Sequence, residues 1–299
     1  MYKQLIDRVN SFMELSGKSQ AQVAKETTLS GTVLSQFLNG VYPGNNEEVA
    51  NILTKYLEIV KKRNFNISHV QFNEKLGNTQ TVMFACEYAH MRNDIALVCG
   101  DAGAGKTAAL ELYRNRSVGV VMVTANACTT SATAVLKLIY QSVKRTVPGR
   151  RDLIMTELVE YFQDSNRLII IDEADNLTLA ALQAVRNLND RAKVGIVLSG
   201  NDKIYNQMLV GSRSSEFQQL RTRIIVRRKV ENRYSLQEFR DIFPGIHDDC
   251  LSFLIKLAQS ESLRTAIKIL EIAFDYTGTQ DMTVESLKAV KLELAQGLY

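Results

Sequence analysis

The stretch Gly100, Asp101, Ala102, Gly103, Ala104, Gly105, Lys106, Thr107 constrains this chain more than any other, because it fits G-x-x-x-x-G-K-[ST] and stands in the context that pattern requires. Before it runs Ile95-Ala-Leu-Val-Cys99, an apolar run of strand type, and after it Ala108 to Tyr113 reads as a helix. A loop between strand and helix points backbone N–H groups inward, and the following helix adds the positive end of its dipole. Such a loop cradles phosphates. Lys106 is placed to reach the outer phosphates and the Thr107 hydroxyl to ligate a magnesium ion, so the expected ligands are ATP and Mg2+.

A second run, Leu168-Ile-Ile-Ile171, is apolar without interruption and ends in Asp172-Glu173. Continuous apolar sequence is the mark of a parallel strand covered on both faces, and ligands meet such a sheet at the carboxyl ends of its strands. Asp172 is therefore expected to hold the metal, with Glu173 orienting and deprotonating an attacking water. The letters D-E-A-D at positions 172–175 coincide with a helicase motif, but so short a chain has no room for a second helicase core. A third strand, Val194 to Ser199, ends at Gly200-Asn201, where a polar side chain can hold the lytic water or the terminal phosphate.

Strands alternating with helices from residue 79 onward argue a parallel α/β sheet, and from about Glu231 the pattern is helical only. The expected domains are a helix-turn-helix unit over 1–62, a polar and basic linker over 63–78, the nucleotide-binding core over 79–230 and a helical lid over 231–299. At 299 residues and 45% hydrophobic content the chain can bury a substantial core. No apolar run approaches a membrane span and the N-terminus lacks a signal-peptide pattern, so a cytoplasmic protein that meets no membrane is expected. Cys86, Cys99, Cys128 and Cys250, like His69, His90 and His247, are scattered, which indicates neither a disulfide framework nor a histidine or cysteine metal site.

Net charge is only +4, yet it is uneven. Lys137, Lys144, Arg145, Arg150 and Arg151 form a run without acids around Pro148-Gly149, and Arg213, Arg221, Arg223, Arg227, Arg228, Lys229 and Arg233 form another. Such clusters are the electrostatic footprint of a phosphate-backbone partner, here double-stranded DNA, and the first is expected to line a channel. The N-terminal unit carries its own DNA signal. Gln20, Val23-Ala24, Leu29, Leu34, Phe37 and Asn39-Gly40 have the spacing of a repressor-type helix-turn-helix, with Ala24 where two helices cross and Thr28 at a turn that usually holds Gly. Ser30 is placed to cap the second helix, leaving Thr32, Ser35 and Gln36 to face a groove. Their short uncharged side chains imply weak sequence preference.

The order of phosphate loop, acidic strand, polar strand tip, Leu220-Arg-Thr-Arg223 and Ser262-Leu-Arg264 resembles that of the AAA+ ATPases. That resemblance implies a first sensor at Asn201, an arginine finger at Arg223, with Arg221 as the alternative, and a second sensor at Arg264 in the lid. A finger acts on a neighbour's nucleotide, so a homo-oligomer, ring or filament, is implied. With the helix-turn-helix and the stretches at 96–107, 169–175, 194–201 and 39–47 in this order, the chain also resembles the phage Mu B family of transposition proteins. The resemblance implies an ATPase that polymerises on DNA, selects a target and activates a transposase. A DNA-associated switch outside transposition, such as a helicase loader or plasmid-partition regulator, is the alternative.

Overall fold

The computed structural model describes residues 2–67, 74–144, 146, 149–209, 217–277 and 282–295, and the chain divides into two compact units, 1–70 and 71–299. The first unit contains four helices among its described residues, α1 (Lys3–Ser16), α2 (Gln20–Glu26), α3 (Gly31–Leu38) and α4 (Asn46–Ile67). Val9, Val23, Leu34, Phe37 and Leu53 form its core. Helix α4 runs through Ile67, so the expected linker boundary at 63 falls inside a helix: the basic run Lys61-Lys-Arg63 continues its last turns rather than ending them.

The second unit opens with α5 (Gly77–Arg92) and then alternates: β1 (Ile95–Gly100), α6 (Lys106–Arg116), β2 (Val120–Thr124), α7 (Ala132–Val143), α8 (Arg151–Phe162), β3 (Leu168–Asp172), α9 (Leu179–Ala192), β4 (Gly195–Ser199), α10 (Asp202–Leu209), α11 (Gln218–Arg223) and β5 (Ile224–Val230). All pairings are parallel, in the order β2-β3-β4-β1-β5. Burial explains the order. Every residue of β1, β3 and β4 is buried, as interior strands covered on both faces require, while β2 and β5 are only partly buried and form the edges.

Side chains of a strand alternate between faces, and the two cores follow that period. Ile95, Leu97, Ile169, Ile171, Ile196 and Leu198 pack with Leu136, Leu158, Leu182 and Val185 of α7 to α9. Ala96, Val98, Leu168, Ile170 and Val197 pack instead with Val82, Ala85, Ala89 and Leu110 of α5 and α6. Each large aliphatic so buried contributes about 1.5–3 kcal/mol relative to exposure, which makes this three-layer sandwich a stiff mount for whatever stands at its strand tips.

Four further helices, α12 (Leu236–Ile242), α13 (Asp248–Ser260), α14 (Leu263–Thr277) and α15 (Val284–Ala295), close on Phe239, Leu251, Leu254, Leu270 and Leu287. Ser235 caps α12 in a reciprocal box with Glu238, whose other oxygen accepts the Gly77 N–H at 2.9 Å and so ties α12 to the start of α5. Among the described residues no helix is long and apolar enough to cross a membrane. Cys86, Cys99 and Cys250 are buried thiols and Cys128 is exposed, all unbridged.

Candidate nucleotide site

The loop leaving β1 is shaped by approaches that only glycine permits. A Cβ on Gly100, whose φ is +137°, would lie 1.9 Å from the Val230 carbonyl oxygen, so β1 and β5 could not close. Gly103 and Gly105 are left-handed, with φ of +71° and +88°. Behind the loop, Asp101 donates its N–H to the Val230 carbonyl at 3.1 Å and its carboxylate accepts the Asn232 N–H at 2.9 Å. The Asn232 amide donates to the Ala102 carbonyl at 3.1 Å, and Asn78 donates to the Ala104 carbonyl at 3.2 Å. Asn232 is buried and also accepts the Leu263 N–H at 3.4 Å, so one side chain joins loop to lid helix α14. Helix α6 starts at Lys106 and presents its unpaired N-terminal N–H groups to the loop interior. The Lys106 ammonium donates to the Gly100 and Asp101 carbonyls at 2.9 and 2.7 Å. Burial lowers its pKa, while Asp172, Glu173, Asp101 and Asp175 oppose that shift.

At the tip of β3, Asp172 is buried and both its oxygens are engaged: Thr107 donates to one at 2.6 Å and Ser199, at the end of β4, to the other at 2.8 Å. A hydroxyl from the phosphate loop against a buried carboxylate is an oxygen-donor pair of the kind magnesium takes. Glu173 follows with φ +54°, a left-handed conformation costly for a residue with a side chain and common at functional sites. Burial, then the carboxylates of Asp172 and Asp175, raise the Glu173 pKa above its ordinary value. Asn201 donates its backbone N–H and its amide to the two oxygens of Asp175, at 3.1 and 2.6 Å, and accepts the Lys203 N–H at 2.8 Å.

A cavity of about 620 Å³ opens over these strand tips. Ala102, Gly103, Gly105, Lys106 and Thr107 line it from the loop, Glu173 and Asn201 from the sheet, and Leu263, Arg264 and Ile267 from α14. Gly100, Asp101 and Ala104 are absent from its wall and brace the loop from behind. The lid rests directly on the loop: a Cβ on Gly103 would stand 2.7 Å from that of Ser262, which caps α14 by accepting the Thr265 N–H. Arg264 faces Glu173 closely enough to lower its pKa in part. Arg223 is not brought to this cavity. It ends α11 and pairs with Asp190 at 3.0 Å, while the Arg221 carbonyl accepts from Arg227.

The basic runs are partly matched by acids. Lys144 pairs with Glu157 at 3.0 Å and Arg150 grips Asp152 through two nitrogens, at 3.2 and 2.6 Å. The Arg150–Asp152 pair is solvent-exposed and the Lys144–Glu157 pair half-buried, and an exposed pair is weak enough for a phosphate to exchange for the carboxylate. Arg145 lies outside the described residues, and Arg151 opens α8. In the second run, Arg213 lies outside the described residues, Lys229 pairs with Asp202 and Glu231, Arg233 with Glu231, and Arg228 stacks on Phe84. Three of the seven, Arg227, Arg228 and Lys229, stand at exposed positions of edge strand β5. In the N-terminal unit Ser30 caps α3 by accepting the Val33 N–H, and Thr28 is left-handed at φ +57° as its turn position demands. Thr32, Ser35 and Gln36 fall at helical spacing on one face of α3, Thr32 exposed and the other two half-buried.

Sheet order, phosphate loop, acidic strand tip and helical lid together define a P-loop ATPase of the AAA+ class, and residues 89–208 match the AAA domain model. Cdc6p from Pyrobaculum aerophilum shares the fold with a TM-score of 0.55 at 18% identity, over 78% of this chain and 70% of that one. A Walker-type ATPase of Pyrococcus abyssi does so at 0.51 and 12%, over 76% and 73%. The chain is 32% identical to the Mu-like prophage FluMu DNA transposition protein B of Haemophilus influenzae, over 74% of this chain and 77% of that protein. It is equally identical to the ATP-dependent target DNA activator B of Escherichia phage Mu, over 69% of this chain and 66% of that protein's length. This chain belongs to the Mu-type transposition protein B family.

Three residues at the site carry no motif signal of their own. Ser199, Asp175 and Asn232 matter only because the fold brings them to Asp172, Asn201 and the phosphate loop. Asp175 was visible only as the last letter of D-E-A-D.

Proposed function

We propose that this chain hydrolyses ATP to control its own assembly on double-stranded DNA, and in that state selects target DNA and activates a transposase. The observation that carries the ATPase half is the convergence of Lys106, Thr107, Glu173, Asn201 and Arg264 on one cavity at the carboxyl ends of β1, β3 and β4. The loop amides and the α6 N-terminus receive the phosphates, and Lys106 exchanges its carbonyl partners for phosphate oxygens. Thr107 and Asp172 would hold magnesium, which supplies positive charge to the phosphate oxygens. Glu173, with its raised pKa, takes the proton of the attacking water, and Asn201 orients that water. Arg264 reaches the terminal phosphate from the lid, and Arg223, outside its own cavity, acts as the finger on a neighbouring copy.

Kinship with a target DNA activator and a DNA transposition protein supports the DNA and transposase half. So do the α3 face of Thr32, Ser35 and Gln36 and the basic segment of Lys144, Arg145, Arg150 and Arg151. Glu173→Gln tests the whole chain of reasoning: it should bind ATP as tightly as the parent, turn over at least 100-fold more slowly and dissociate from DNA more slowly. Unchanged turnover removes Glu173 as the base, and turnover lost with DNA residence unchanged separates hydrolysis from DNA release.

A further inference from the structure

Asn201 has both ends of its side chain spoken for. Its carbonyl oxygen accepts the Lys203 N–H at 2.8 Å at the start of α10, and its amide nitrogen donates to Asp175 at 2.6 Å. These two partners agree on one orientation only, because a backbone N–H needs an acceptor and a carboxylate needs a donor. An amide nitrogen carries two hydrogens, so one remains after Asp175 has taken the other. Asn201 lines the cavity.

The carboxylate that dictates this orientation arrives by a second, independent device. Its other oxygen accepts the Asn201 backbone N–H at 3.1 Å, and it passes so close to Gly200 that a Cβ there would lie 2.6 Å from that oxygen. A side chain at 200 would have to displace that carboxylate oxygen. Between β3 and Asp175 the chain turns through the left-handed Glu173, and the Glu173 carbonyl accepts the Asn176 N–H at 3.0 Å, closing the short turn on which Asp175 stands. One turn therefore carries Glu173 toward the cavity and Asp175 toward Asn201.

We infer that Asp175 is the positioning residue of the hydrolytic step: it fixes the Asn201 amide with an N–H, rather than the carbonyl, available to water or phosphate in the cavity. This rests on the reading of Asn201 as the water-orienting residue. Asp175 touches no reacting atom itself. It also ties the tip of β4 to the turn after β3, so the donor and the base move as one piece.

Asp175→Asn keeps size and shape but offers one acceptor oxygen where the carboxylate offers two, so the Asn201 backbone N–H and side-chain amide can no longer both be accepted, one of them meets an NH2 group, and the double grip that fixes Asn201 is broken. ATPase turnover should fall about 100-fold, the lower end of the range lost with one placed donor, and to within about threefold of Asn201→Ala. Binding of a slowly hydrolysed ATP analogue should stay within about threefold of the parent. The double variant Asp175→Asn with Asn201→Ala should be no slower than the worse single variant, since both remove one interaction. The reciprocal pair, Asp175→Asn with Asn201→Asp, rebuilds the hydrogen bond but leaves an acceptor where the donor stood. Its melting temperature should return toward the parent while turnover stays low, an outcome that a merely structural role would not produce.

Parental turnover in Asp175→Asn alongside a slow Asn201→Ala overturns the assignment of Asp175 alone, and so does a swap that restores turnover. Parental turnover in Asn201→Ala overturns the reading of Asn201 and the inference with it. The two failures are told apart by that single variant.

Discussion

Gly100→Ala is the sharpest test of how the phosphate loop is mounted. The added methyl would sit 1.9 Å from the Val230 carbonyl oxygen and 2.9 Å from its carbon and nitrogen, all backbone atoms of the paired strand β5. Real contacts do not fall below 3.0 Å, so β1 and β5 must separate there by about 1.1 Å, the difference between 3.0 and 1.9. That parting stretches the 3.1 Å bond from Asp101 N–H to the Val230 carbonyl, a loss of about 0.5–1.5 kcal/mol. Holding alanine at φ +137° adds about 1–3 kcal/mol. Together these make about 1.5–4.5 kcal/mol, or a melting temperature lower by roughly 3–18 °C for a domain of this size. Asn232 lies two residues beyond Val230, so nucleotide affinity should fall as well. Calorimetric melting and titration with a fluorescent ATP analogue read both effects, with Gly31→Ala as the control. Gly31 stands exposed in α3 with nothing within 4 Å of its added methyl, and alanine there should be neutral or slightly stabilising. A Gly100→Ala protein melting within about 2 °C of the parent with unchanged affinity would refute the close-approach argument.

Arg223→Ala should lose ATPase activity in the assembly, and mixing it with a Lys106→Ala protein should restore some turnover at mixed interfaces. A mixture that co-assembles yet stays inactive shifts the finger to Arg221. Replacing Arg150 and Arg151 with Ala should weaken DNA binding equally on unrelated sequences and flatten the plot of log affinity against log salt by roughly 0.9 for each phosphate left without its cation; an unchanged slope excludes both arginines as phosphate partners. Glu238 is pushed up by burial, but hydrogen bonds from Ser235 and Gly77 outweigh this and its folded pKa lies below 4.5, so its stabilisation is present above 4.5 and lost as pH falls through the folded value. Glu238→Gln should therefore melt at a lower temperature than the parent at pH 7, with the gap closing in acid; a gap that persists there means the charge is not what matters.

The phosphate loop, the acidic strand and the helical character of the last third were legible because each is written in contiguous residues. A buried parallel strand announces itself as an apolar run, and Leu168 to Ile171 did so. Strand β5 did not. Its inward residues Ile224, Val226 and Val230 are interleaved with Arg227, Arg228 and Lys229, so the charge of an edge strand masked its period. Helix α4 outran its expected end for a related reason, since lysine and arginine are good helix formers as well as linker residues. The supporting polar network was illegible in principle. Ser199 meets Asp172 across 27 positions and Asn232 meets Asp101 across 131, distances that no local pattern encodes. Arg223 could be named from order alone, but its distance from its own cavity is a fact of geometry.

The buried amide of Asn232, gripping the Ala102 carbonyl on one side and the Leu263 N–H on the other, has a thermodynamic consequence. A nucleotide that tightens the loop also biases the seat of α14, and linkage makes that bias run both ways by the same factor. Any macromolecule that grips the outer face of α14 or α15 more firmly in one lid position must change ATP affinity as much as ATP changes its own. Lid helix α14 is thereby tied to the phosphate loop through a side chain that touches neither ligand, alongside the direct approach of Ser262 to Gly103.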